Sequence, residues 1–367
     1  MGSRVNCGRI YEHYGEICFG GPFVIPYVAL AGALLVISVL LTAIILKRSS
    51  QVGRIDIPNE RSSHSTPTPR GGGLAFVVTS IAGIAAYGLS SDHSSRPLGG
   101  LIIAGALVAV IGFLDDRGIT ISAGLRLFVH GIAAILGLIF VGWLNPVIVF
   151  GAEINLSIVG NVIAIIYVVW LLNLFNFMDG IDGIAAVQTI SACVGVAVLS
   201  YQQDLSLHST VPPILLAGSV LGFLAFNFPP ARIFMGDVGS GFLGILLALM
   251  SLISTNDDSK FFWVWVIMLG VFIVDATITL IRRILRGERP HVAHRSHAYQ
   301  RLAMRTGSHR RVTLGVLFVT VAWLLPFAYL VATDRIDGTI GAILAYLPLI
   351  AIAIVSGAGK PESNPAN

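Results

Sequence analysis

Residues 26–46 read PYVALAGALLVISVLLTAIIL. The run carries no charged side chain. It is as long as a helix must be to cross the hydrocarbon of a bilayer, about 20 residues at about 1.5 Å each. It is too long and too cleanly apolar for a signal-peptide core, and no small-residue cleavage pattern follows it, so it reads as a retained span. Comparable runs recur near 73–90, 99–114, 125–143, 158–175, 184–200, 211–227, 240–254, 261–281, 312–332 and 338–356. Together they predict an all-α fold: a polytopic integral membrane bundle of about eleven transmembrane helices. The composition agrees. Of 367 residues, 55% are hydrophobic and 11% charged, against about 25% charged in an ordinary soluble domain. That balance excludes a soluble enzyme, a nucleic-acid binder and a disordered scaffold, and it makes the lipid bilayer the first partner. The 40 glycines suit helices whose backbones pack closely. Residues 1–25 read as an extracytoplasmic segment, 26–356 as the transmembrane domain, and 357–367 as a polar, disordered cytoplasmic tail. Three cysteines are too few for a disulfide framework and match no metal motif; Cys7 and Cys18 pair only if the N-terminus faces an oxidising space.

Basic residues orient the bundle. The segments after the odd-numbered spans hold 18 of the 23 Lys and Arg, so they face the cytoplasm. The N-terminus is then outside and the C-terminus inside. Outer segments 91–98, 201–210 and 255–260 look like plain connectors.

The inner segments carry the chemistry. The third span ends in GFLDDRG with Asp115 and Asp116, and the fifth in NLFNFMDGIDGIAA with Asn173, Asn176, Asp179 and Asp182. The seventh leads into NFPPARIFMGDVGSG with Asn227, Arg232, Phe234 and Asp237. Carboxylates near apolar helix ends are costly and need a cation or hydrogen-bonding partners. Several at one level repel unless a divalent ion sits among them; oxygen ligands beside a phosphate substrate suggest Mg²⁺, with Mn²⁺ as the alternative. The plainer reading makes each Asp a helix cap or boundary marker. GDVGSG reads either as a phosphate loop or as glycines for close packing of the eighth span.

Loop one, RSSHSTPTPRGGG, places Thr68 and Arg70 before three glycines, where backbone N–H groups can approach a phosphate or merely enter a helix. The longest inner loop, RRILRGERPHVAHRSHAYQRLAMRTGSHRR, has nine Arg, among them Arg295, and spaces His291, His294 and His297 by three. Arg forks suit diphosphates. A Zn²⁺ site and a basic loop resting on anionic lipid are the competing readings. His130 and Asp275 lie inside spans. His130 reads as a buried histidine bonded to a neighbouring helix, and Asp275 as a structural group orienting a basic one.

In this order PTPRGGG, FLDD, NLFNFMDGIDGIA, NFPPARIFMGDVGSG and the His-containing loop resemble the polyprenyl-phosphate N-acetylhexosamine-1-phosphate transferases, glycosyltransferase family 4, over residues 26–356. The resemblance implies transfer of HexNAc-1-phosphate from a UDP-N-acetylhexosamine to undecaprenyl phosphate, with release of UMP, at the cytoplasmic face of a bacterial inner membrane. It implies Mg²⁺ on Asp237, Asp115 and Asp116 acting on the lipid phosphate and the metal, and a homodimer. It puts Asn176, Asp179 and Asp182 in the nucleotide pocket, with Asp182 and Phe234 near the uracil and Asn227 among the substrate-binding residues. His291, His294, His297 and Arg295 fall near the diphosphate, and Thr68 and Arg70 become loop-one candidates for the lipid phosphate. TPTPRGGG in place of TPTMGG, and HVAHRSH in place of adjacent histidines, argue against a muramyl-peptide substrate. The HVAHRSHAYQ loop looks more like that of the O-antigen initiators, some of which use 6-deoxy-N-acetylhexosamines. One mechanism uses Asp115 or Asp116 as a base toward the lipid phosphate; the other forms an aspartyl-phosphate.

Two other classes compete. A CDP-alcohol phosphotransferase signature begins D-x-x-D-G-x-x-A-R, and Asp179, Asp182, Gly183 and Ala186 match it, but Val187 replaces the Arg. A proton-coupled transporter would place its ionisable groups near the midplane on paired repeats, and here they gather at one surface.

Overall fold

The computed structural model describes residues 24–52, 55–56, 67–91, 95–288 and 294–361. The expected 1–25 segment, except its last two residues, lies outside the described residues, as do His291 and positions 362–367. The chain is a helical membrane protein. Its helices are α1 (Ile25–Val52), α2 (Gly73–Ser90), α3 (Arg96–Asp116), α4 (Ala123–Val141), α5 (Ser157–Met178), α6 (Ile184–Gln202) and α7 (Leu207–Asn227), followed by α8 (Asp237–Asp257), α9 (Phe261–Met268), α10 (Gly270–Leu285), α11 (Ala298–Thr306), α12 (His309–Val319), α13 (Leu325–Ala332) and α14 (Gly338–Ser356). Among the described residues ten helical stretches are long and apolar enough to cross a membrane. The pair α9 and α10 adds an eleventh if counted as one span, although it bends by 72° at Leu269. A π-helical turn at Thr320–Leu324 joins α12 to α13, just before Pro326 withdraws a backbone donor.

Two small ladders interrupt the all-α pattern. Strand β1 (Ile55–Asp56) pairs antiparallel with β2 (Thr68–Pro69), and β3 (Val147–Val149) with β4 (Ala152–Ile154). The second hairpin fills what composition alone shows as a connector. Its turn donates from Phe150 N to Thr339 Oγ1 (3.1 Å) and from Gly151 N to Asp337 Oδ2 (3.0 Å), which ties it to the start of α14.

Helix α8 is the axis. Its apolar window is wholly buried, so it touches protein and not lipid on every side. Helices α2, α3 and α5 pack directly on it. A span with no lipid-facing side must accept close neighbours, and glycine permits this. At Gly112 of α3 a Cβ would collide with the backbone carbonyl of Asp237. Gly112→Ala is therefore expected to push α3 from the start of α8, at a cost of about 1–3 kcal/mol. Turnover should fall more steeply than the unfolding midpoint, because the displaced interface is the one carrying the carboxylates. Unchanged kcat in detergent-purified Gly112→Ala would refute that placement.

Of the expected 357–367 tail, the first five residues are described and pack against the bundle. Residues 357–361 are ordered, not disordered: Gly357 ends α14 in the left-handed region, and Ala358 is fully buried. Helix ends commonly close with such a glycine, because it tolerates positive φ.

Candidate active site

The polar helix ends gather at the end of the bundle where α3, α5, α7 and α10 finish and α4, α6, α8 and α11 begin. Two backbone strips meet there. Phe234 N donates to Pro69 O (2.8 Å), Gly72 N to Phe234 O (2.9 Å) and Gly73 N to Met235 O (2.9 Å). Loop one is thereby laid along the segment that precedes α8, and Arg70 projects over the first turn of α8.

Five charged side chains interlock at that point. Arg70 reaches Asp116 through Nε (3.0 Å) and Asp237 through Nη2 (2.8 Å). Arg126, in the first turn of α4, reaches Asp115 through Nη2 (2.8 Å) and the second oxygen of Asp237 through Nη1 (3.1 Å). Asp237 is thus gripped by both guanidiniums. The Asn176 side chain also hydrogen-bonds Asp237, and its amide donates to Ser240 Oγ (3.0 Å).

The two adjacent carboxylates, equivalent in sequence, differ in place. Asp116 is 6% exposed, and its oxygens accept from Asp237 N and Val238 N, both at 3.0 Å. It caps the N-terminus of α8, where unpaired N–H groups and the helix dipole favour an anion. Gly236 has φ +79°, and a Cβ there would strike the Asp116 carboxylate. The Asp115 side chain is 25% exposed and meets only side chains, Arg126 and Asp237. The open carboxylate is therefore Asp115. The glycines of GDVGSG serve packing, as at Gly239, where a Cβ would strike Met235 and Phe76.

Asp179 follows the end of α5. Burial pushes its carboxyl well above the usual range; Arg70 pulls it down, while Asp237, Asp116 and Asp182 push it up. An acid whose folded value is raised costs the fold stability above its ordinary value, increasingly until pH passes the raised one. Asp179→Asn is thus expected to raise the thermal midpoint of the ligand-free protein at pH 7 while lowering activity. A midpoint equal to or below wild type would refute this strain.

Asp182 is held from two sides, by α12 and by the segment that precedes α8. Its Oδ1 lies 3.1 Å from His309 Nδ1, its Oδ2 accepts from Ala231 N (3.0 Å), and its carbonyl accepts from Thr313 Oγ1 (2.8 Å). Asn227 is buried and occupied with backbone: Oδ1 accepts from Gly183 N (3.0 Å) and Nδ2 donates to Ile233 O (2.9 Å). It clamps the DGID turn to the segment that carries Phe234, so its place is that of a support and not of a ligand contact. Phe234 is half-buried between the two strips. Thr68 is buried in β2 opposite Asp56, and Arg70 meets Asp116 and Asp237.

The histidine loop is anchored by Asp275. Its oxygens accept from Ala298 N (2.8 Å) and Tyr299 N (2.9 Å), so it caps α11, and it lies 3.4 Å from His297 Nδ1. The expected structural role of Asp275 takes this form. His294 stacks on His297 at 4.9 Å and meets Ser296 Oγ at 2.8 Å. Burial, then the neighbouring His297 and Arg283, push His294 down to about 3, so it is neutral at pH 7 and offers a hydrogen bond without a charge. Arg295 is half-buried between them. Tyr299 donates to Phe177 O (2.9 Å), joining this loop to the DGID turn. Among the described residues no three His, Cys, Asp or Glu side chains, the carboxylate cluster included, are placed so that they could hold a metal ion together; His291, the first of the three spaced histidines, lies outside them. His130 is buried on α4 one turn beyond Arg126, and its Nδ1 lacks the helix partner that the sequence suggests.

Arg126 and His309 are the residues that motif reading passes over. The signal for Arg126 is a cation in an apolar run, reached by a short link from Asp115 and Asp116. For His309 it is the Ser308 cap at the start of α12.

The oxygen-only donor set fits a hard divalent cation. Three carboxylates, Asp115, Asp116 and Asp237, are paired with two guanidiniums, Arg70 and Arg126. Mg²⁺ typically takes one or two carboxylates and completes its shell with water and substrate phosphate. An open set of this kind meets that need.

Residues 98–255 match the family described as Glycosyl transferase family 4. The chain is 30% identical over 286 residues to a probable undecaprenyl-phosphate N-acetylglucosaminyl 1-phosphate transferase of Bacillus subtilis, covering 76% of this chain and 78% of that one. It is 29% identical over 312 residues to a decaprenyl-phosphate N-acetylglucosaminephosphotransferase of Mycobacterium leprae, covering 76% and 77%. It is 28% identical over 236 residues to a phospho-N-acetylmuramoyl-pentapeptide-transferase of Streptococcus pneumoniae, covering 62% and 70%.

Proposed function

The chain belongs to glycosyl transferase family 4, the polyprenyl-phosphate N-acetylhexosamine-1-phosphate transferases, and on that premise we propose that it moves HexNAc-1-phosphate from a UDP-N-acetylhexosamine to undecaprenyl phosphate. The reaction is the first lipid-linked step of O-antigen or a related envelope polysaccharide, at the cytoplasmic face of the inner membrane. The carrying observation is the Arg70–Asp116–Asp237–Arg126–Asp115 cluster at the gathered helix ends. Family membership removes the CDP-alcohol and transporter readings.

An oxygen of the lipid phosphate attacks the β-phosphorus of the donor. The bond from that phosphorus to the bridging oxygen breaks, and UMP leaves with the oxygen. One phosphoanhydride replaces another, so the step is close to reversible. The barrier is charge crowding, which preorganised cations relieve. Arg70 and Arg126 hold carboxylates in the ligand-free protein and would exchange them for phosphate oxygens. Asp237, with Asp115 beside it, would hold Mg²⁺, which supplies charge neutralisation on the diphosphate. Asp115, as the open carboxylate, receives the role toward the acceptor; Asp116 keeps α8 in place. Asp182, Asn176 and Phe234 would take the nucleoside end, with Asp182 set by His309 and the turn set by Asn227. His294, Arg295 and His297 would take the diphosphate, and His291 belongs to the same proposal by sequence alone.

The relatives named above act on N-acetylglucosamine or N-acetylmuramoyl-pentapeptide substrates, and the HVAHRSHAYQ loop favours an N-acetylhexosamine without the peptide. The test uses purified protein, Mg²⁺, undecaprenyl phosphate and UDP-GlcNAc or its 6-deoxy analogues labelled at the β-phosphorus. Label in the lipid with release of UMP is the expected result. Release of UDP, or no transfer from any donor by folded protein, would overturn the proposal.

A further inference from the structure

The five residues after α14 close over the segment that carries His294 and His297. Gly359 N donates to Ser296 O at 2.7 Å, and Arg282 Nη1 donates to Ala358 O at 2.9 Å. Arg301 Nη2, on α11, donates to Lys360 O (2.6 Å) and Pro361 O (3.0 Å). Ala358 is fully buried, and Ser296 is 5% exposed. The tail therefore joins the last turns of α10 to the first turns of α11, across the loop between them. Ser296 O would otherwise be a buried carbonyl needing a partner. Gly359 has φ +70°, and a Cβ there would come within 2.9 Å of Arg282 Cβ and 3.0 Å of Thr279 O, so the path admits glycine and little else.

We propose that residues 357–361 form a positioning strap that fixes the His294–His297 segment at the diphosphate end of the site. The proposal rests on the function given above. Asp275 holds this segment by its C-terminal side, through Ala298 N and Tyr299 N. The strap holds it at Ser296, one residue before His297. The two anchors flank His297, at Ser296 and at Ala298 and Tyr299, and so set the orientation of the ring on which His294 stacks before the donor arrives, which lowers the ordering cost of binding. None of the strap residues meets the carboxylate cluster, so they act through the loop.

The experiment compares a stop after Ser356, a stop after Pro361 and Gly359→Val in the full chain. The first and third remove the strap; the second keeps its contacts. Without the strap, KM for the UDP-sugar should rise about tenfold, the size of a lost hydrogen-bonding anchor, while KM for polyprenyl phosphate stays within about twofold of wild type. Amide exchange in the peptide 295–304 should quicken in both strapless forms. The stop after Pro361 should match wild type in each respect. Should the stop after Ser356 fail to fold, Gly359→Val decides. Wild-type donor KM and exchange in a folded strapless protein would overturn the proposal. If the intact chain transfers nothing, the function fails separately, and exchange still judges the strap.

Discussion

Asp237→Asn is expected to lower transfer by about a hundred- to a thousandfold, the range seen when one preorganised charge-stabilising group is lost. The substitution keeps shape and a carbonyl acceptor, so the fold should survive. It removes the negative charge that both Arg70 and Arg126 share and that would hold the cation. The two guanidiniums would then face each other across a neutral amide, and the Mg²⁺ dependence should weaken with the turnover. The measurement is kcat against Mg²⁺ concentration, with the thermal midpoint as the control for folding. Turnover within a few-fold of wild type at every concentration would show that Asp237 is not the metal ligand.

Asp116→Ala should act differently from Asp115→Asn, although the two positions are adjacent. Asp116→Ala leaves Asp237 N and Val238 N without their acceptor and takes from Arg70 one of its two carboxylates. A lost cap costs about 1–2 kcal/mol, and the broken ion pair adds little because the Arg70 side chain is 43% exposed and keeps Asp237, so a loss of about 2 kcal/mol is expected. Activity should fall with it, because the start of α8 carries Asp237. Asp115→Asn alters a quarter-exposed carboxylate with side-chain partners alone, so stability should change by less than about 1 kcal/mol while turnover drops. Thermal unfolding in detergent and kcat on the same preparations separate the two. Equal unfolding midpoints for Asp116→Ala and wild type would remove the cap from the account.

Both variants show how much of the site can be read from the chain. The apolar runs coincide with helices to within a few residues, except that 261–281 is broken into α9 and α10, and the motifs lie at one end of the bundle. FLDD, however, reads as two like acids, and nothing local separates the cap from the open carboxylate. Arg126 reads as one more positive charge. Its partners are 11 and 111 positions away, and no spacing rule reaches so far. Asn227 resembles a ligand contact until its two hydrogen bonds to backbone are seen. The tail reads as disordered because it is polar and holds proline, yet Arg282 and Arg301 supply the donors that order it.

The sequence by itself determined where the apolar spans lie and the shared side of the chemistry, while the bend between α9 and α10 leaves their number at ten or eleven. A bilayer obliges each crossing helix to satisfy its own backbone, so every span is written locally in about 20 consecutive apolar residues. Tertiary structure alone decided which carboxylate is buried, which arginines answer it and what holds the histidine loop. Those outcomes depend on how closely α3 and loop one approach the first turn of α8, and that approach is set where Gly112 meets the backbone of Asp237. Close packing between segments far apart in the chain leaves no periodic mark in either segment.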